Sequence, residues 1–336
     1  MARFAVRRGT FGPQETVILE DTVGGARAVF VGLAATPLSW HVPWKGQLFD
    51  VTNGFATPEE LASTRGSRAF ILAPFSNRIN EGRYEFGGLV HDLGIEDPRN
   101  RIIMHGFLKR IVCEATAERA DDASAAVTFT TSAIRTGAFR GYPFDVDVAV
   151  TYTMTARRLD VAIVGRNVGR TDAPFGCGWH PYFKTPAAGV NGLRLVVPAR
   201  TKIATDERLL PLPGDAAFVP LEKAPEFDFR PGSPRGNVVG TQVIDAAYGD
   251  LQSDADGWVR THVEDPAGGM RITVLQERGL VHVFTGDPLP HRPRGSIALE
   301  PVEFMTNAFN RPECRAGITL RPGAERRFRF GVEVSA

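Results

Sequence analysis

Residues 144–154 read Phe144-Asp-Val-Asp-Val-Ala-Val-Thr-Tyr-Thr-Met154, and this stretch decides the fold class. Phe144, Val146, Val148, Val150, Tyr152 and Met154 fall on one side of an extended chain, while Asp145, Asp147, Thr151 and Thr153 fall on the other. A strand sends successive side chains to opposite faces, so this spelling makes one apolar face and one polar face; a helix would scatter the same residues around its axis. After a turn at residues 156–158, Leu159, Val161 and Ile163 repeat the alternation in a second strand.

Outward from this pair, similar runs predict strands at residues 16–20, 27–33, 69–72, 111–117, 126–131, 193–197, 258–264, 270–275, 280–284, 297–300 and 327–334. Gly87-Gly88 reads as a two-residue hairpin between residues 83–86 and 89–93, and residues 265–269 as a longer one. One helix is predicted, because Thr57-Pro-Glu-Glu60 carries a capping threonine, proline at the first helical position and glutamate three residues after the cap, with Gly66 ending it after two turns. Another helical turn is expected near Asp245, an aspartate suited to capping. Two short helices cannot supply the crossovers that a parallel sheet needs, so the expectation is an all-β sandwich. Neither a linker nor a repeat divides residues 1–336, and a proline-rich stretch at 198–234 reads as an excursion over the sheet, so a single domain is expected.

Composition narrows the partners. The 336 residues carry 39 basic and 38 acidic side chains, which leaves no field to attract nucleic acid or an anionic membrane, so a small neutral partner is expected. Three scattered cysteines, with no Cys-x-x-Cys spacing, indicate neither a disulfide framework nor a thiolate zinc site. The N-terminus lacks an apolar signal segment and no run of eighteen apolar residues occurs, so a cytoplasmic location is expected.

Several polar residues interrupt the apolar pattern. His180 follows Gly176-Cys-Gly178-Trp179 and precedes Pro181, which biases the histidine toward an extended backbone. Glu300 ends the apolar run Ile297-Ala-Leu299, and a histidine with a strand-end glutamate makes an acid/base pair. Arg78 leaves a strand for a turn, where its planar fork of donors suits sugar hydroxyls or a carboxylate, and His105 stands beside Gly106. Each alone reads equally well as a surface arginine, a turn histidine or a packed core histidine.

Together these fragments resemble the aldose 1-epimerase (galactose mutarotase) family, in a divergent bacterial branch. The matching pieces, in the family's order over residues 70–335, are Ser76-Asn-Arg-Ile79, Gly82-Arg-Tyr-Glu-Phe-Gly87, His105-Gly106, Trp179-His-Pro-Tyr-Phe183, Asp245, Leu299-Glu-Pro301, Asn307-Ala-Phe-Asn310 and Leu320-Arg-Pro-Gly323. The resemblance implies a large antiparallel supersandwich that binds a free aldohexose and interconverts its α and β anomers without cofactor or metal, acting as a monomer or homodimer. It implies His180 as general acid, Glu300 as general base, and Arg78, His105 and Asp245 as substrate-binding residues. The sequence departs from the members nearest galactose mutarotase at Lys184-Thr-Pro186 and at Pro301-Val-Glu-Phe-Met305, which bears on the sugar rather than on the reaction.

The residue types fit that chemistry. Anomer exchange takes a proton from the C1 hydroxyl, delivers one to the ring oxygen, and reverses both after rotation about C1–C2. A glutamate kept ionised by donors such as Arg78 and a histidine titrating near neutrality suffice, so the acidic limb of the pH profile is expected from the glutamate and the basic limb from the histidine. Other readings are a sugar-binding protein without turnover, a hexose-6-phosphate 1-epimerase, which would want a basic cluster at the cleft, and a glycoside hydrolase, which would want two carboxylates. Glu303 is the nearest alternative carboxylate in sequence.

Overall fold

The computed structural model describes residues 2–289 and 292–336. Strand accounts for 46% of the residues and helix for 9%, and the strand ladders are antiparallel. The alternating stretch forms the strand Val146–Met154, paired in register with Arg158–Asn167 from Val146↔Asn167 to Met154↔Leu159. These two lie inside an eight-stranded sheet completed by Glu114–Ala120, Ala125–Ile134, Glu325–Ser335, Met270–Gln276, Val259–Asp265 and Arg194–Val196. A second eight-stranded sheet runs Phe218–Pro220, Thr201–Ile203, Asp245–Gly249, Leu280–Phe284, Ile297–Val302, Gly178–Trp179 and Ile71–Leu72, with Tyr182–Phe183 also paired to Ile297–Val302. A five-stranded meander of Phe4–Phe11, Gln14–Asp21, Arg27–Val31, Thr36–Trp44 and Gln47–Asp50 packs alongside.

The two large sheets share one core. Val148, Val150, Ile163, Phe328 and Phe330 of the first meet Trp179, Val281, Val283 and Leu299 of the second, and the Trp179 indole stacks on Phe330 with ring centroids 5.7 Å apart. Because side chains alternate along a strand, sending Val281, Val283, Ile297 and Leu299 into this core turns His282 and Glu300 to the other face of the second sheet.

Both hairpins form as expected. The helix begins at its capping threonine, whose hydroxyl accepts from the Glu60 amide, but it stops at Ser63, because Thr64 already takes the left-handed conformation (φ 52°) ahead of Gly66. Two expectations are corrected. Asp245–Gly249 is a strand, not a helical turn: it is hydrogen-bonded between Thr201–Ile203 and Leu280–Phe284, and burial of Tyr248 in the core overrides the local preference of an Asp-Ala-Ala segment. Residues 198–234 do not merely cross the surface, since they lend the second sheet the strand Thr201–Ile203 and, at its edge, Phe218–Pro220.

Candidate active site

Arg78, His105, His180, Asp245 and Glu300, far apart in sequence, line a single cavity of about 640 Å³ on the outer face of the second sheet. Asn77, Tyr182 and His282 line it with them, while Met104, Phe284, Pro288 and Leu289 form an apolar wall.

Backbone bonds fix each of these side chains. His180 leaves the Gly178–Trp179 strand with its amide donating to Phe70 O (3.0 Å) and its carbonyl accepting from the Ala69 amide (2.8 Å). Gly178 permits this approach, for a Cβ there would sit 2.8 Å from Val302 Cγ1 and 3.0 Å from Pro301 O, on the strand that carries Glu300. His105 holds a left-handed backbone (φ 63°), its amide donating to Asn77 O at 2.8 Å, and Gly106 follows it at φ 65°, where a Cβ would lie 2.1 Å from Ala73 O. Asn77 is also left-handed (φ 56°). Non-glycine residues in this region of backbone space are costly and persist where surrounding structure over-determines them, as at binding sites. The Asn77 side chain accepts from the Arg78 guanidinium (2.8 Å), which forms no ion pair among the described residues.

His180 Nε2 lies 3.4 Å from Glu300 Oε1. The His180 ring stacks on Tyr182 (centroids 5.0 Å apart) and meets His105 edge-on (5.2 Å). His105, His180 and His282 are each 7% exposed and Glu300 2%, and desolvation sets the direction in which His105, His180 and Glu300 titrate. Burial, with His282 adding to it, pushes the His180 imidazole down to about 3. Burial pushes the Glu300 carboxyl up to about 7, against the charges of His282 and Arg78, which favour ionisation. Burial and the neighbouring His180 likewise hold His105 well below the usual histidine range. The close contact is therefore a neutral imidazole against a carboxyl group that keeps its proton to about pH 7, and not an ion pair. This corrects the expected order of the two groups: Arg78 is engaged by Asn77 and acts on Glu300 only as a charge, too little to offset burial.

Asp245 lines the cavity, and its Oδ1 is bound by His282 Nε2 at 2.6 Å. Burial is the largest single effect and opposes charge on both partners, but their mutual hydrogen bond and the surrounding charges together outweigh it, drawing Asp245 below and His282 above its ordinary range. His282 was missed by sequence reading, although Leu280-Val-His-Val-Phe284 was recognised as a strand. The available signal was a lone titratable residue at a polar position of an otherwise apolar strand. Glu303 lies elsewhere: its carboxylate accepts from Arg278 at 2.7 Å and sits near Arg326 and the Cys177 thiol (3.7 Å each), outside the cavity. Lys109, another cavity residue, is occupied by Glu96 (2.6 Å) and Met104 O (2.7 Å).

Comparison with known proteins bears on the fold and the family. The family model for aldose 1-epimerase matches residues 15–333. Two uncharacterised Escherichia coli K12 proteins are similar in sequence: YihR is 26% identical over 254 residues, 75% of this chain and 74% of the relative, and YphB is 28% identical over 262 residues, 76% and 79% respectively. Among solved structures, a galactose mutarotase-like protein from Clostridium acetobutylicum superposes with a TM-score of 0.82 at 14% identity, covering 99% of both chains. A galactose 1-epimerase from Lactobacillus acidophilus gives 0.80 at 15% identity, covering 100% of this chain and 99% of its own. A Caenorhabditis elegans aldose epimerase homologue gives 0.79 at 17% identity, covering 99% of each. No helix among the described residues is long and apolar enough to cross a membrane.

Proposed function

The chain belongs to the aldose 1-epimerase family, and from that premise we propose that it is a mutarotase, interconverting the α and β anomers of a free aldohexose through the pair His180 and Glu300. The observation that carries this reading is the 3.4 Å approach of His180 Nε2 to Glu300 Oε1, both of which line the cavity. Both oxygens that exchange protons, O1 and the ring oxygen, are bonded to C1, so two groups in contact can reach both.

One proton shared by the pair is sufficient. The unprotonated partner takes the proton from the C1 hydroxyl, the C1–ring oxygen bond breaks as the C1=O1 bond forms, and the protonated partner delivers to the ring oxygen. Rotation about C1–C2 turns the other carbonyl face inward, and the same transfers in reverse close the ring, leaving the pair with its original proton. Glu300 serves as base and His180 as acid, and binding of the sugar must move the shared proton onto the imidazole. Arg78, His105 and Asp245, on the cavity wall, bind the hydroxyls. The one-proton state lies between the values of about 3 for His180 and about 7 for Glu300, so kcat/KM should be bell-shaped with limbs near them, each belonging to the pair as a whole.

Polarimetry of freshly dissolved α-glucose and α-galactose tests the reading. Glu300→Gln and His180→Asn should each lower turnover by roughly 10²–10⁴-fold while sugar binding survives. The double variant should be far less than multiplicatively worse, because both residues serve one transfer cycle. Near-normal mutarotation by a folded Glu300→Gln protein would remove Glu300 as the base.

A further inference from the structure

The strand register sets His282 directly beside Glu300. In the ladder between Leu280–Phe284 and Ile297–Val302 the two are cross-strand partners, and both point away from the core into the cavity. Directly opposed side chains in an antiparallel pair have Cβ atoms roughly 4.5–5.5 Å apart. The partner of His282 on its other side is Ala247, too small to fill the row, and Asp245, two residues earlier on the same face, reaches across to take His282 Nε2 at 2.6 Å. An imidazole thus stands between two carboxyl groups, bonded to one and opposed to the other.

We propose that His282 is a positioning residue: clamped by Asp245, it supplies the fixed positive charge that lets the buried Glu300 give up its proton and hold the geometry of a base. This inference rests on the assignment of Glu300 as the base and says how that base becomes usable. A carboxylate removed from water ionises only when a charge or hydrogen-bond donor compensates it. The groups around His282 leave it that task. Asp245 and Glu300 are the anions that face it from the two adjoining strands. Arg78 is the opposing cation on the cavity wall, with its guanidinium engaged by Asn77. Burial keeps His180 and His105 neutral at working pH and the Tyr182 phenol protonated, while Lys109 is paired with Glu96. The short charge-assisted bond to Asp245 holds the imidazolium in place. Its charge opposes the effect of burial on Glu300.

The test follows the ionisation of Glu300 itself, by carboxyl ¹³C NMR titration of protein labelled at glutamate, in the wild type and in His282→Gln. The Glu300 resonance is identified by its absence in Glu300→Gln. The midpoint should rise by about one pH unit or more in His282→Gln, and the basic limb of kcat/KM should move upward with it. In a second experiment, Asp245→Asn should make the His282 ring lose its proton at a lower pH, read from histidine ring ¹³C shifts; this holds if His282→Gln fails to fold. An unmoved Glu300 midpoint in folded His282→Gln, or a His282 titration indifferent to Asp245→Asn, overturns the proposal. Both titrations are read without sugar, so they decide on His282 even if Glu300→Gln retains turnover and the assignment of the base is lost.

Discussion

Burial acts in opposite directions on the two ends of the proton-transfer pair, and stability must record it as well as rate. Glu300 has its carboxyl raised from 4.5 to about 7 on folding, so the folded state binds the proton more tightly than the unfolded chain. That contribution is fully present below pH 4.5 and is lost as pH rises through 7, a cost on the order of 3 kcal/mol. Glu300→Gln cannot ionise and escapes the loss. Urea unfolding at pH 5, 6.5 and 8 should therefore show the variant gaining on the wild type as pH rises; a constant difference would mean that Glu300 titrates normally. His180, depressed from 6.5 to about 3, has the opposite sign, contributing stability above pH 6.5 that is lost as pH falls toward 3, and His180→Asn should be free of that dependence. The five cavity residues could be singled out from the sequence only through the resemblance of the short motifs that hold them, since each alone reads as well as a structural residue. Their ionisation was not legible, since it follows from desolvation and from which neighbour holds which donor. His282 was invisible for a related reason: only strand register sets it against Glu300 and Asp245.

Among elements, the strands with strict alternation were the readable ones. Val146–Met154 and Arg158–Asn167 are each half-buried with a polar face, and the period survives in the spelling. Thr36–Trp44 was missed although its burial alternates, because Pro37 and Pro43 read as strand breakers; Pro37 is accommodated at a register shift beside Phe30 and Pro43 sits opposite Leu48. Phe4–Phe11 was missed because only Phe4 in it is buried and few apolar residues mark a face. The short Gly178–Trp179 strand, only two residues long, has no period to read, and yet it places His180. Its closeness to Ile297–Val302 depends on the missing side chain at 178. Gly178→Ala should push the two strands apart, lowering stability by roughly 1–3 kcal/mol and turnover by more than that loss of stability alone explains. Thermal unfolding and polarimetry on the same preparation check this, and an unchanged variant would show that the approach of the strands is not needed.

Across the whole molecule the sheets are joined by buried aromatic residues rather than by a flexible seam. Phe30 of the five-stranded meander lies 4.6 Å from the Tyr152 ring of the first large sheet, and the Tyr152 hydroxyl donates to Ala35 O at 2.7 Å. Trp179 then carries the contact from the first large sheet to the second through Phe330. One hydrophobic cluster draws on all three sheets, and two of the cavity's contacts, His180 with Glu300 and Asp245 with His282, lie on the sheet at one end of this chain of contacts. We infer that the described residues fold as one cooperative unit, as the absence of any linker in the sequence suggested. Far-UV circular dichroism, which follows all the sheets, and tryptophan fluorescence, which follows Trp40 and Trp44 in the meander, Trp179 between the large sheets and Trp258 just before the strand Val259–Asp265, should lose signal at the same denaturant concentration. Loss of the meander's signal before that of the large sheets would divide the chain in two. The groups His180, Asp245, His282 and Glu300 would then rest on the second large sheet, because the strands that carry them belong to it or lead directly to them.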